Sequence, residues 1–163
     1  MSGIVIELFH LYDAKKRLKS INKLIAQQSP GKRPRLKLED LEEVFLNDNF
    51  QLYGAFEVKR SRRKLIGMSS IFFQRNLTRW IAEIHDVVVD EKYRGQGIGG
   101  QLVRALIQAA DNFSLVCGGV PIKLYLTSRP NRVAANKLYK KLGFTQIGKA
   151  TGKWGTNHYK KMI

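Results

Sequence analysis

One cysteine, Cys117, and three histidines, His10, His85 and His158, are the only such residues in a chain of 163. A lone cysteine excludes an internal disulfide, and no two of these positions have zinc-site spacing. A reducing compartment and metal-free chemistry are expected. Apolar runs are short: none reaches the roughly 18 residues that a spanning helix needs, so no membrane segment is expected. The start, Met1-Ser2-Gly3-Ile4-Val5-Ile6-Glu7, has no basic end and carries Glu7 inside its apolar stretch, unlike a signal peptide. A cytoplasmic protein is the expectation. Acidic residues are scarce, 13 against 29 Lys+Arg, which leaves a formal charge of +16. Such a field attracts polyanions and counts against polycationic substrates such as polyamines.

What is present is the composition of a globular protein, 44% hydrophobic and 10% aromatic. A chain of this length buries most of its apolar surface without staples, and one domain over 1–163 is expected. Residues 4–11 read as a strand, and 14–27 as a helix with Leu18, Ile21, Leu24 and Ile25 in period. Ser29-Pro30-Gly31 breaks that pattern before a basic loop and a second helix over 38–45. Residues 50–58 and 65–73 form a hairpin with a basic tip at 59–64, and 80–90 follows as a third strand. A helix over 98–110, a strand over 122–127, a helix over 132–142 stopped by Gly143, and strands at 144–147 and 156–161 complete the order. The sum is an α/β layer fold, a mixed and mostly antiparallel sheet of about seven strands flanked by about four helices.

The segment Val87-Val88-Val89-Asp90-Glu91-Lys92-Tyr93-Arg94-Gly95-Gln96-Gly97-Ile98-Gly99-Gly100 passes from a buried strand through a glycine turn into a helix. A helix start offers unpaired N–H groups and partial positive charge, and glycines let a phosphate come close to the backbone. Arg94 adds a guanidinium suited to phosphate oxygens. Gly95, Gly97 and Gly100 also satisfy the dinucleotide pattern, but that reading needs an acid at the end of the next strand, where Ser128-Arg129 stands. No Gly-Lys-Ser/Thr follows, which removes the nucleotide P-loop.

Two segments, Arg-x-x-Gly-x-Gly over 94–99 and Ala-Ala-Asn-x-Leu-Tyr-x-Lys-Leu-Gly-Phe over 134–144, together resemble the signatures of the GNAT acetyltransferase superfamily. The resemblance is firm over 80–144, and the Thr127-Ser128-Arg129-Pro130 run is similar to small bacterial members. It implies the GNAT fold and an N-acetyltransferase that moves an acetyl group from acetyl-CoA to a primary amine. The coenzyme would lie in a V-shaped gap between the strand ending at Val89 and the strand near Ile122. Its pantetheine arm would bond the backbone across Val87, Val88 and Val89, and its pyrophosphate would rest on Arg94, Gly95, Gln96, Gly97, Ile98, Gly99 and Gly100. Asn136 resembles an amide that contacts the cofactor arm, whereas Arg132 stands where many members carry a second asparagine.

Attack by an amine requires a base, because an unshifted lysine amine titrates near about 10.4 and an α-amine near about 8. Alternation along the strand puts Glu83, His85, Val87 and Val89 on one face. Members of the superfamily carry a catalytic carboxylate at one of the first two positions, so Glu83 or His85 is the candidate base. Tyr139 alone reads as a core tyrosine; in its motif the resemblance makes it the acid that protonates the leaving thiolate. The Val87 N–H would polarise the thioester carbonyl, in the manner of an oxyanion hole. Asn157, His158 and Tyr159 read as surface residues of a final strand that borders the acceptor pocket in relatives. A different partner class stays open: the basic clusters would also suit nucleic acid or the ribosome, although the aromatic platforms of single-strand binders are lacking.

Overall fold

The computed structural model describes residues 2–28, 31, 34–149 and 155–163. The Ser29-Pro30 break and the basic residues Lys32 and Arg33 lie outside the described residues. Seven strands form one sheet: β1 (Ser2–Leu8), β2 (Phe50–Lys59), β3 (Arg62–Arg75), β4 (Trp80–Val89), β5 (Lys123–Ser128), β6 (Thr145–Gly148) and β7 (Asn157–Met162). Their spatial order is β1-β2-β3-β4-β5-β7-β6, and among the described residues only β4 and β5 pair in parallel. The helices are α1 (Leu11–Lys16), α2 (Leu18–Gln28), α3 (Leu38–Phe45), α4 (Ile98–Val116) and α5 (Val133–Lys141).

Among the described residues five helices stand where the sequence suggests four, because the first is two. The chain breaks at Arg17, whose guanidinium sits 5.1 Å from the Phe56 ring centroid while Ala14 and Ile21 dip into the core on either side. Helix α4 also continues to Val116, six residues past the expected end at 110.

Alternate strand residues feed two layers. Leu52, Phe56, Met68 and Val88 pack with Ala14, Ile21, Leu24 and Leu41 beneath α1, α2 and α3. Ile71, Phe73, Ala82, Ile84, Leu124 and Leu126 pack with Val103, Leu106 and Tyr139 from α4 and α5. The sheet is thus covered on both faces, as a two-period strand pattern requires.

Pairing of β4 with β5 starts at Ile81 with Lys123 and stops at Ile84 with Leu126. Beyond that point the strands separate. On its other edge β4 meets β3 through a bulge: Met68 pairs with Val88 and Ser70 with His85, so Asp86 and Val87 together oppose Ser69. Asp86 has φ of 51°, in the left-handed region that few non-glycine residues occupy. One extra residue in a strand reverses which side chains face which layer.

Candidate active site

The reversal corrects the single-face expectation for β4. Ala82 and Ile84 face α4 and α5, so Glu83 and His85 point to the α1–α3 side; past the bulge Val87 and Val89 face the α4 layer and Val88 the other. Glu83 and His85 therefore lie on the opposite face from Val87 and Val89. They are joined by a contact of 3.2 Å between His85 Nε2 and Glu83 Oε2, and both side chains are partly exposed. The Ser70 hydroxyl donates to Asp86 Oδ2 at 3.1 Å and helps to hold the bulge.

Where β4 and β5 part, a cleft of about 200 Å³ opens, lined by Ile84, His85, Asp86, Val87, Leu126, Thr127, Ser128, Arg129, Arg132 and Tyr139, with Gln28 and Thr156 at its edges. It reaches residues of both sheet faces, so His85 and Val87 share a wall although their side chains point apart. This is the gap the resemblance implied between these two strands.

From the open end of the cleft the chain runs through a 3-10 turn, Glu91–Tyr93, into the glycine loop. Asp90 fixes that turn: it is buried, accepts from the Lys92 N–H at 3.1 Å and lies 3.4 Å from Lys23 Nζ on α2. Burial alone would raise its pKa, but the Lys92 amide and the Lys23 charge outweigh it and hold the carboxyl below its ordinary value. Gln27 Oε1 adds a second tie by accepting from the Glu91 N–H at 2.9 Å.

Gly95 and Gly97 have φ of 78° and 77°, and a Cβ built on either would meet nothing within 4 Å. Gly97 is the N-cap of α4, and the first i→i−4 bond of the helix runs from the Gln101 N–H to the Gly97 carbonyl. Among the described residues no backbone carbonyl outside the helix accepts from the amides of Gly95, Gln96, Gly97, Ile98, Gly99 or Gly100. The result is a row of donors at the positive end of a 19-residue helix, open on the side where a phosphate would approach. Ile98 anchors the row in the core with Ala55, Ile66 and Leu102, and Gly99 and Gly100 lie against Leu138 of α5. Arg94 is exposed, with its Nε–H donated to the Val89 carbonyl at 3.1 Å; the rest of its fork is exposed beside the loop.

Tyr139 is 5% exposed, and burial pushes its pKa up to about 12, opposed by the nearby Arg132 charge and reinforced by Tyr159. It stays a neutral phenol and lines the cleft.

Asn136, which the resemblance places against the cofactor arm, makes four bonds inside the protein. Its Nδ2 donates to the carbonyls of Arg129 and Arg132, each at 2.9 Å, and its Oδ1 accepts from the Tyr159 hydroxyl at 2.7 Å and from Asn157 Nδ2 at 3.3 Å. Every donor and lone pair of the amide is used inside the protein. Tyr159, expected at the surface, is 1% exposed, since β7 lies between β5 and β6 rather than at the sheet edge. His158 is exposed and Asn157 half-buried. Asn136→Ala is expected to cost about 1–2 kcal/mol in urea unfolding, by removing the acceptor of the buried Tyr159 hydroxyl, while the Arg129 and Arg132 carbonyls keep their backbone donors. Tyr159→Phe in the Asn136→Ala background should recover part of that loss.

Sequence reasoning missed Ser70, Asp86 and Gln28; Ser128 and Arg129 entered it only within the Thr127–Pro130 run, and Arg132 as an odd residue just before a motif. The basic hairpin tip at 59–64 is partly engaged: Lys59 pairs with Glu57, Arg63 with Glu7, and Lys64 donates to the Tyr93 hydroxyl. Among the described residues no helix is long and apolar enough to cross a membrane, and no cluster of three or more metal-binding side chains occurs.

Comparison with known proteins agrees with this geometry. Residues 18–144 match the Acetyltransferase (GNAT) family. The chain is 35% identical over 89 residues to N-alpha-acetyltransferase RimI of Mycobacterium tuberculosis, a match covering 55% of this chain and 51% of that protein. It is 28% identical over 96 residues to an uncharacterized protein of Mycobacterium leprae, covering 59% of this chain and 24% of that one. The match thus spans about half the length of the first curated relative and about a quarter of the second. Arabidopsis thaliana NAA60 in complex with a bisubstrate analogue shares the fold at 19% identity, with a TM-score of 0.73 and 99% of each chain covered.

Proposed function

Since this chain belongs to the GNAT family of acetyltransferases, enzymes that use acetyl-CoA, we propose that it acetylates a primary amine, with the α-amino group of a protein or peptide as the first acceptor to test. The observation that carries this is the row of unpaired amides at 95–100, which follows directly in the chain on the strand β4 that walls the cleft. The peptide acceptor draws support from the name of one relative, RimI, an N-alpha-acetyltransferase.

When bound, acetyl-CoA supplies an activated acetyl group. The amides of residues 95–100 and the exposed Arg94 fork grip its phosphates. Val87, left without a partner in the register by the bulge, directs its N–H at the thioester carbonyl and stabilises the negative charge that develops there. His85 and Glu83 take the proton from the amine on the other face: with Nε2 committed to Glu83, Nδ1 is the atom free to accept it. Tyr139 protonates the leaving sulfur.

Calorimetric titration with acetyl-CoA, followed by a thiol-release screen of peptides with free N-termini, amino sugars and small amines, tests the reading. Heat on titration and thiol release with at least one amine are expected. No heat and no thiol release with any amine would reject it.

A further inference from the structure

The β5 side chains that face α4 and α5 are Leu124, Leu126 and then Ser128, two core leucines followed by a hydroxyl. Ser128 is 4% exposed, and its Oγ is buried with no hydrogen-bond partner. Native proteins rarely strand a buried hydroxyl, and one that lines a ligand cleft is paired when the ligand arrives. Tyr139 lines the same cleft from α5. The register sets the depth. Because the last β4–β5 pair is Ile84 with Leu126, two residues further along β5 bring Ser128 level with the bulge at Asp86 and Val87, across the gap from the Val87 N–H. A coenzyme held by its diphosphate at the glycine loop would reach this level with the thioester end of its arm.

We propose that the Ser128 hydroxyl donates a hydrogen bond to the departing coenzyme sulfur, beside the proton donor Tyr139. This rests on the acetyl-CoA reading of the cleft. As the amine nitrogen bonds to the acetyl carbon, the C–S bond breaks and its electron pair goes to sulfur. Tyr139 gives its phenolic proton to that sulfur and regains one from water, Ser128 keeps its own proton, and the surplus amine proton leaves through His85. A second donor is needed because the phenol is a weak acid here, pushed up to about 12, whereas a free thiol ionises near about 8.5. Proton transfer from Tyr139 therefore trails C–S cleavage, charge builds on sulfur before the proton arrives, and Ser128 stabilises it there.

Ser128→Ala separates this role from packing. Expected are a kcat about 10-fold lower with the best peptide of the panel, an unchanged acetyl-CoA affinity, and an apo protein that melts no lower than wild type. The thiol of bound CoA should titrate about one unit higher in the variant, read from the pH dependence of CoA binding, since a donor to the thiolate lowers its pKa in the wild type. A lower melting point would show that the hydroxyl is already paired and overturn the proposal. So would a fall in acetyl-CoA affinity at unchanged kcat, which would assign Ser128 to the arm, or an unchanged rate and thiol titration. A wild-type protein that binds no CoA sinks the donor reading and this proposal together, whereas normal wild-type binding with any of the other results sinks this proposal alone.

Discussion

Replacing Tyr139 by phenylalanine is expected to lower kcat about 100-fold or more while acetyl-CoA affinity stays near wild type. The ring is a core element, 6.2 Å from Phe144 and 5.8 Å from Tyr159 between centroids, and phenylalanine keeps that packing. What is lost is the hydroxyl in the cleft. Because a general acid acts only as the C–S bond breaks, its removal lowers kcat and kcat/KM together and leaves ground-state binding alone. A rate within about 3-fold of wild type would show that another group protonates the sulfur.

A second reading of the same variant comes from alkaline unfolding. The folded state holds the Tyr139 proton until about pH 12, whereas an unfolded tyrosine releases it near pH 10. The unfolded state therefore gains by ionising first, and the wild type should lose stability as pH rises from about 10 towards 12, by about 2–3 kcal/mol in all. Tyr139→Phe has no such proton to hold and should show a shallower decline in urea midpoint over that window. Equal slopes for the two proteins would mean that the phenol is less buried than the structure has it.

Local periodicity made the order of strands and helices legible, and the glycine loop was legible because phosphate binding at a helix start needs that residue pattern. The departures all depend on contacts distant in sequence. Nothing in the Trp80–Val89 strand announces a bulge, since the positive φ of Asp86 is held from outside, by Ser70 on β3. Arginine is a good helix former, so nothing local announces the break at Arg17, where the guanidinium sits over Phe56. The run Asn157-His158-Tyr159-Lys160-Lys161 looks solvent-exposed, yet β7 is flanked by β5 and β6, and Tyr159 finds Asn136 across 23 residues of sequence. A resemblance transfers residue types readily; it did not transfer the internal bonds that consume the Asn136 amide.

Gly97→Val is expected to weaken acetyl-CoA binding about 100-fold or more. A β-branched residue at φ of 77° is strained, at a cost of about 1–2 kcal/mol in folding stability. That strain alone does not predict lost binding. The added side chain would project into the open space over the row of amides, where the diphosphate must come within hydrogen-bond distance. Losing two charge-assisted bonds of about 1.5–3 kcal/mol each accounts for the fall. Gly118, at the other end of α4, supplies the control: its φ is 86° and a Cβ there also meets nothing within 4 Å. Gly118→Val should lose similar stability in urea and bind acetyl-CoA normally by calorimetry. If both variants bound equally well, the phosphates would not rest on this loop; if both bound equally poorly, global destabilisation rather than the cradle would be responsible.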